Sequence, residues 1–326
     1  MNRITWAVSL PAIAMTLAGC AATTPEPVNS SAPLAVAETP APAADINTLF
    51  AEYDAAQLAA SPLSKAYRGI RDDDYSKWGD FTDAASVKDN ELLQSTAAKM
   101  RADYDVNALP AQDALSYRLF DALAERSADR FKYRKYGYIF DQMNGSQSQL
   151  PAFLINIHRV ANAEDAAAYV SRIEGLGAVV DDLVAESRTR ADAGVMPPDW
   201  VYPYVISDVD NLIKAGMENA ILTDFRAKVD KLGLSSDDTA GLKADADAAW
   251  QQSAQPAYAR LLSEMKRQQA IAPTDDGIWR FPEGAGYYKA LLANYTTTDL
   301  TADEIHEIGL REVARIHGEM RAIMKQ

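Results

Sequence analysis

Helical patterns run almost without interruption from Asp45 to the C-terminus of this 326-residue chain. The last pattern is the best specified, because Thr301 and Glu304 fit a capping box while Leu300 and Ile305 fit the hydrophobic staple beside it. Its apolar residues recur at helical spacing and predict a buried stripe: Ile305, Ile308, Val313, Ile316, Met320 and Ile323. Patterns of this kind over most of the chain predict a mainly α fold, built as an irregular multi-helix array.

Caps and helix breakers locate most of the other helices. Asn162, with Asp165 three residues later, predicts the start of a long helix, and Gly194 before two prolines predicts its end. Ser236 predicts the cap of another helix, in which Pro256 predicts a kink or a split. The helices predicted in this way lie at about 89–105, 111–130, 162–194, 199–215, 220–232, 236–271 and 283–295.

Residues 131–140 follow a different pattern, in which aromatic residues alternate with basic ones. The aromatic residues are Phe131, Tyr133, Tyr136, Tyr138 and Phe140. A period of two favours a short strand or extended segment packed on the helices, the only non-helical regular structure that we expect. The same pattern could stack nucleic-acid bases, but a formal net charge of −14 repels nucleic acid. We therefore predict no nucleic-acid partner.

The N-terminal 20 residues are typical of a bacterial lipoprotein precursor. Arg3 supplies a positive start, and residues 4–17 are mostly apolar, too few to span a bilayer stably but suited to an export signal. The signal ends in Leu-Ala-Gly before Cys20, which matches a lipobox, and Cys20 is the only cysteine in the chain. We therefore predict a signal peptide at residues 1–19 and lipidation of Cys20. An incidental cysteine beside an ordinary cleavage site is the alternative.

The lipobox also predicts where the protein resides. Residues 21–44 are rich in Ala and Pro, which predicts that residues 20–44 are a lipidated cysteine followed by a disordered tether. The predicted partner is the lipid bilayer, bound through acylated Cys20. Ala21 follows the cysteine where lipoproteins kept in the inner membrane carry Asp, which favours the outer membrane and a folded part, residues 45–326, facing the periplasm or the cell surface.

Metal-binding motifs are incomplete in this sequence. Residues 306–310 begin like the H-E-x-x-H motif of zinc peptidases, but Leu310 occupies the place of the second histidine. His306 and His317 share a helix face, yet they lie about 16 Å apart along the axis. His158 is remote and has no carboxylate at ligand spacing. We therefore predict no metal site and no catalytic residue within this chain.

Other catalytic and binding motifs are also absent. No G-x-S-x-G occurs, and Gly175-Leu176-Gly177 lies in a helical pattern without the third glycine of a dinucleotide loop. Paired acids such as Asp237 and Asp238 lack the glycine and terminal glutamate of a calcium loop. We interpret these pairs as helix starts and solvated faces.

Several stretches resemble the bacterial domain-of-unknown-function 885 family, in the expected order over about residues 45–326. They are 140–145 (FDQMNG), 150–154 (LPAFL), His158, 168–173 (AYVSRI), Pro198, 200–201 (WV), 282–284 (PEG), 287–292 (YYKALL) and 296–306 (TTTDLTADEIH), followed by Gly309, Leu310 and Val313. The resemblance implies a helical zinc metallopeptidase, often a lipoprotein or secreted, with peptides as the substrate class. In that family the zinc motif lies in the C-terminal half, and nothing in residues 1–326 matches it.

The resemblance therefore predicts the N-terminal portion of such a peptidase, inactive alone, with zinc expected only in a full-length relative. The helical pattern also continues to Gln326 without a Gly or Pro stop. Tyr287, Tyr288 and His306 are the candidates for facing substrate across a cleft. Alternatively, the two tyrosines pack between helices and His306 lies on a solvated helix face. The alternative function is a non-catalytic helical binding or scaffold lipoprotein.

Overall fold

The computed structural model describes residues 45–325, and within that range all regular secondary structure is helical. The helices are α1 Ile46–Ala60, α2 Pro62–Tyr67, α3 Asp83–Asp103, α4 Ala111–Phe131, α5 Ser146–Asn156, α6 Ala163–Asp192, α7 Tyr202–Lys214, α8 Ala220–Val229, α9 Ser236–Ala249, α10 Gln255–Gln269, α11 Gly284–Thr296 and α12 Ala302–Met324. The predicted mainly α fold is confirmed. The predicted signal segment, Cys20 and the tether lie outside the described residues.

Helix starts follow the local capping signals closely. The Asn162 side chain accepts a hydrogen bond from the Asp165 backbone N–H at 2.8 Å, as predicted for the start of α6. The predicted capping box of Thr301 and Glu304 is present at the start of α12. The cap of α9 is Ser235 rather than the neighbouring Ser236, because the Ser235 hydroxyl accepts a hydrogen bond from the backbone N–H of Asp238, the third residue of the helix. These short-range hydrogen bonds satisfy helix N–H groups that have no intrahelical partner.

The aromatic segment 132–140 forms turns and bends, and no strand is formed there. Its backbone closes four-residue turns, such as the turn in which the Tyr136 N–H donates to the Tyr133 carbonyl at 2.8 Å. Tyr133 and Phe140 are buried, whereas Arg134 points outward to an ion pair with Asp83. The alternation of aromatic and basic residues therefore separates buried from exposed side chains without requiring extended backbone.

The main core is organised around α6, which packs against α9, α10 and the π-helical turn Trp250–Ala254 that joins those two helices. Tyr169, Ile173 and Leu176 of α6 are fully buried in it. Pro256 lies in the first turn of α10, so the predicted split of this long helix coincides with the π-helical turn. The helices α1, α3 and α4 bury two smaller apolar clusters around Met100 and Ala97.

Gly177 allows α6 to approach the π-helical turn closely. A Cβ added there would lie 2.1 Å from Ser253 Oγ and 3.1 Å from the Ser253 carbonyl oxygen. The Ser253 hydroxyl is itself held by the Glu174 carbonyl at 2.5 Å. The glycine in the incomplete dinucleotide motif therefore has a packing role at the centre of the fold.

Two glycine-to-alanine substitutions test this packing role. We expect Gly177→Ala to lower the free energy of unfolding by about 1–3 kcal/mol, because the added methyl group overpacks the helix crossing. Gly241→Ala in α9 is the matched control, since nothing lies within 4 Å of the added Cβ. The control should raise stability by up to about 1 kcal/mol through helix propensity alone. Urea unfolding measures both, and equal changes would contradict the close-packing interpretation.

Helix α12 forms as predicted, but the prediction that its apolar stripe is buried is wrong. None of the side chains in α12 is buried, and Val313 and Met320 are 52% and 53% exposed. The amphipathic pattern fixes which face of a helix is apolar, but it does not supply a neighbouring element to cover that face. None of the helices in residues 45–325 combines the length and apolar character needed to cross a bilayer.

Candidate functional site

Two glycines position the start of α11, where the first candidate residue lies. A Cβ at Gly284 would lie 2.1 Å from the Ile278 carbonyl oxygen, so the helix begins directly against the preceding turn. A Cβ at Gly286 would lie 2.3 Å from the Tyr133 hydroxyl oxygen. Because glycine has no side chain, the aromatic segment 132–140 can approach α11 closely here.

Tyr287 belongs to an aromatic cluster formed by Tyr133, Tyr136, Tyr138, Phe281 and Tyr287. The Tyr287 ring centroid lies 5.5 Å from that of Tyr133 and 5.3 Å from that of Tyr136. The Tyr136 hydroxyl donates to the Pro282 carbonyl at 2.5 Å, which ties the segment 132–140 to α11. Burial raises the pKa of Tyr138 and of Tyr287, so these phenols remain protonated hydrogen-bond donors at neutral pH.

Arg280 places a positive charge beside this cluster. Its guanidinium lies 4.6 Å from the centroid of the Phe281 ring and donates to the Tyr138 hydroxyl at 3.0 Å and to the Met196 carbonyl. Among residues 45–325 it has no carboxylate partner. The arrangement therefore combines a cation with aromatic rings, which suits contact with a carboxylate and an apolar side chain.

The other two candidates lie apart from the aromatic cluster. Tyr288 is 47% exposed on the outer side of α11, and His306 is exposed in the first turns of α12. The structure therefore places Tyr287 among packed rings and leaves Tyr288 and His306 facing solvent. The three residues do not converge on a common pocket within the described part of the chain.

Sequence reasoning did not identify the buried polar cluster around His158, which lies just after the end of α5. Its side chain is 1% exposed, with Nδ1 2.9 Å from Arg172 Nη1 and Nε2 3.0 Å from the Asp165 carbonyl oxygen. Because a guanidinium only donates, Nδ1 must accept and Nε2 must carry the proton. His158 is therefore held as one neutral tautomer.

Arg172 is fully buried and surrounded by aromatic rings. Its guanidinium lies 5.1 Å from the Tyr75 ring centroid and 4.8 Å from that of Phe153, and its Nε donates to the Lys77 carbonyl at 3.1 Å. Burial lowers the pKa of Arg172 to about 10, so it remains charged at neutral pH. One sequence signal could have revealed it, since Arg172 lies on the apolar face of α6 beside Ile173.

The surroundings of His158 oppose its protonation. Burial lowers its pKa to about 4, and the charges of Arg172 and Lys228 act in the same direction. Lys228 is fixed close by, because its ammonium donates to the His158 carbonyl at 3.1 Å. A histidine enclosed in this way cannot exchange protons directly with a bound substrate. The cluster instead joins the loop 72–79 to α5, α6 and α8.

The described residues do not fit a zinc site. Within residues 45–325, no three His, Cys, Asp or Glu side chains come close enough together to hold a metal ion. His306 and His317 lie on one helix, separated by about 16 Å along its axis. A catalytic zinc ion in a hydrolase is coordinated by three protein side chains, with water in the fourth position.

A family model described as "Bacterial protein of unknown function (DUF885)" matches residues 62–326. The chain belongs to the DUF885 family. The match includes α2 to α12, and therefore both the aromatic cluster and the cluster around His158 lie in the DUF885 region. No curated protein is significantly similar in sequence to this DUF885 chain.

A crystal structure of "the putative lipoprotein from Colwellia psychrerythraea" has a similar fold. The TM-score is 0.75 at 19% sequence identity, and the alignment covers 84% of this chain and 49% of the other. The DUF885 chain described here therefore spans about half the length of that solved protein. At this level of identity, the likeness concerns the fold alone.

Proposed function

We propose that this DUF885 chain is an exported, membrane-anchored lipoprotein and forms the N-terminal helical portion of a zinc-dependent peptidase. The observation that carries the proposal is the half-length match, in which 84% of this chain covers 49% of the Colwellia psychrerythraea protein. A fold that corresponds to half of a longer protein can contribute one wall of a site whose remaining groups lie in the other half. In this proposal the zinc ligands lie outside this chain, and the chain alone is inactive.

The role proposed for this portion is to bind peptide substrate. Arg280 and the neighbouring aromatic cluster support that role, because a guanidinium and aromatic rings match the carboxylates and apolar side chains of peptides. Tyr287, Tyr288 and His306 remain the residues that we propose to face substrate. Tyr288 and His306 are accessible from solvent, as this role requires, whereas Tyr287 lies at the edge of the packed cluster.

The genomic sequence downstream of codon 326 tests the peptidase proposal. We expect an in-frame continuation that carries an H-E-x-x-H motif, and the longer product should hydrolyse peptides in a chelator-sensitive way. A stop codon directly after codon 326 would contradict the proposal. That result would favour a non-catalytic binding or scaffold lipoprotein.

The membrane anchor is tested by replacing its lipidation site. We expect Cys20→Ala to move the protein almost entirely from the membrane fraction to the soluble periplasmic fraction, because the acyl chains are lost. Ser31→Ala in the tether is the matched control and should leave the protein in the membrane fraction. Detection of the protein by immunoblot after cell fractionation gives both results. A Cys20→Ala variant that stays membrane-bound would contradict lipid anchoring.

A further inference from the structure

The exposed apolar side chains of this protein are concentrated on three helices. Most of the large apolar residues that face solvent within residues 45–325 lie on α4, α11 and α12. Apart from Tyr288, which we propose to face substrate, they are Leu115, Leu119, Leu123, Tyr295, Ile308, Leu310, Val313, Ile316, Met320, Ile323 and Met324. We call this set the docking face. The core around α6 differs from this set, because its large apolar side chains are buried.

Helix α12 provides the longest part of the docking face. Its 23 residues extend about 35 Å, with apolar side chains along one side. On its polar side, Arg315 pairs with Glu312 at 2.8 Å and with Glu319 at 2.6 Å. An amphipathic helix gains most of its stability from burial of its apolar side. Within residues 45–325, the apolar side of α12 is therefore left exposed to solvent, although an amphipathic helix normally buries that side.

The leucines of α4 form a second exposed apolar stripe. Leu115, Leu119 and Leu123 recur every four residues and so form one stripe on α4. α4 packs against α11, where the Arg130 guanidinium donates to Asn294 Oδ1 at 3.0 Å. α11 leads directly into α12. Patches of exposed apolar residues this extensive are typical of protein interaction sites.

We propose that the docking face binds the second half of a longer protein, equivalent to the part of the Colwellia psychrerythraea protein that this chain does not match. The length comparison selects this occupant, because 51% of that chain lies beyond the 49% that is covered. The inference rests on the two-part organisation in the proposed function. The inference does not depend on catalysis, and it would still hold if the second half had no peptidase activity.

The crystal structure of the Colwellia psychrerythraea protein gives the first test, by superposition on this fold. We expect the side chains aligned with Leu119, Ile316 and Met320 to be buried by the part of that chain that is not matched here. Solvent exposure of those side chains would overturn the proposal. Coverage by a second copy of the same half would overturn it as well.

Hydrogen exchange on the purified chain gives the second test, with sedimentation to measure its oligomeric state. We expect a monomer in which amides of α12 exchange at least 100-fold faster than those of α6, because no side chain of α12 is buried within residues 45–325, whereas α6 lies in the core. A dimer that protects α12 would overturn the proposal and identify a second copy as the occupant. A monomer in which α12 is as protected as α6 would overturn it too. Peptide hydrolysis is not a readout here, so this result is independent of the peptidase proposal.

Discussion

Arg172→Ala is expected to lower the free energy of unfolding by about 3–5 kcal/mol. The substitution removes a fully buried side chain from between the Tyr75 and Phe153 rings and leaves a cavity. It also leaves His158 Nδ1 and the Lys77 carbonyl without their donors in the protein interior. Urea unfolding followed by circular dichroism measures the change.

Two further variants separate the loss of buried side-chain volume from the loss of hydrogen bonds. Arg260→Ala is the matched control, because Arg260 is half-exposed and pairs with Asp181 at the surface, so its loss should cost no more than about 1 kcal/mol. Arg172→Met restores much of the lost volume but no hydrogen bond, and its stability should lie between those of Arg172→Ala and the unmodified protein. An Arg172→Ala variant as stable as Arg260→Ala would show that the buried cluster does not hold the fold together.

Acidification from pH 6.5 to pH 4 should cost about 3 kcal/mol of stability through His158 alone. An unfolded histidine titrates near 6.5, whereas burial lowers the pKa of folded His158 to about 4. The unfolded state therefore binds more protons between these two values. Stability from this group is fully present above pH 6.5 and is lost as the pH falls through that window.

His158→Gln is the control for this pH dependence. A glutamine amide can still donate to the Asp165 carbonyl and accept from Arg172, but it does not titrate. The variant should therefore lose the contribution of His158, about 3 kcal/mol, between pH 6.5 and 4. Burial raises the pKa of Glu264, but hydrogen bonds from Arg267 and Arg188 outweigh that effect and bring the pKa to about 2. Glu264 therefore titrates at a lower pH than this window. The same slope in both proteins would contradict the assignment to His158.

Local features of the fold could be predicted from sequence because a few neighbouring residues determine them. The Asn162 cap and the capping box at Thr301 depend on hydrogen bonds that span at most four residues, and the α4 boundary near Ala111 follows Pro110 directly. The predicted cap of α9 was wrong by one residue, because Ser235 and Ser236 are both suitable capping residues and Ser235 forms the capping hydrogen bond. α3 begins at Asp83, before the predicted residue 89, because Thr82 supplies an earlier cap.

Long-range partners could not be predicted in the same way. Arg172 meets the Lys77 carbonyl across 95 positions of sequence, and no local pattern encodes that contact. The stripe on α12 was wrongly predicted to be buried, because residues 45–325 supply no element that covers it. For the candidate site, the sequence identified Tyr287 but could not indicate that Gly286 brings Tyr133 against it.

In the proposed function, this chain is the folded half of a longer protein and has no zinc site of its own. Zinc content by atomic emission and peptide hydrolysis, both measured on the purified 326-residue product incubated with zinc, test it most directly. We predict less than about 0.1 zinc per chain after gel filtration and no chelator-sensitive hydrolysis, because zinc retention needs a closed set of ligands. One tightly held zinc per chain, with hydrolysis abolished by a chelator, would contradict the account.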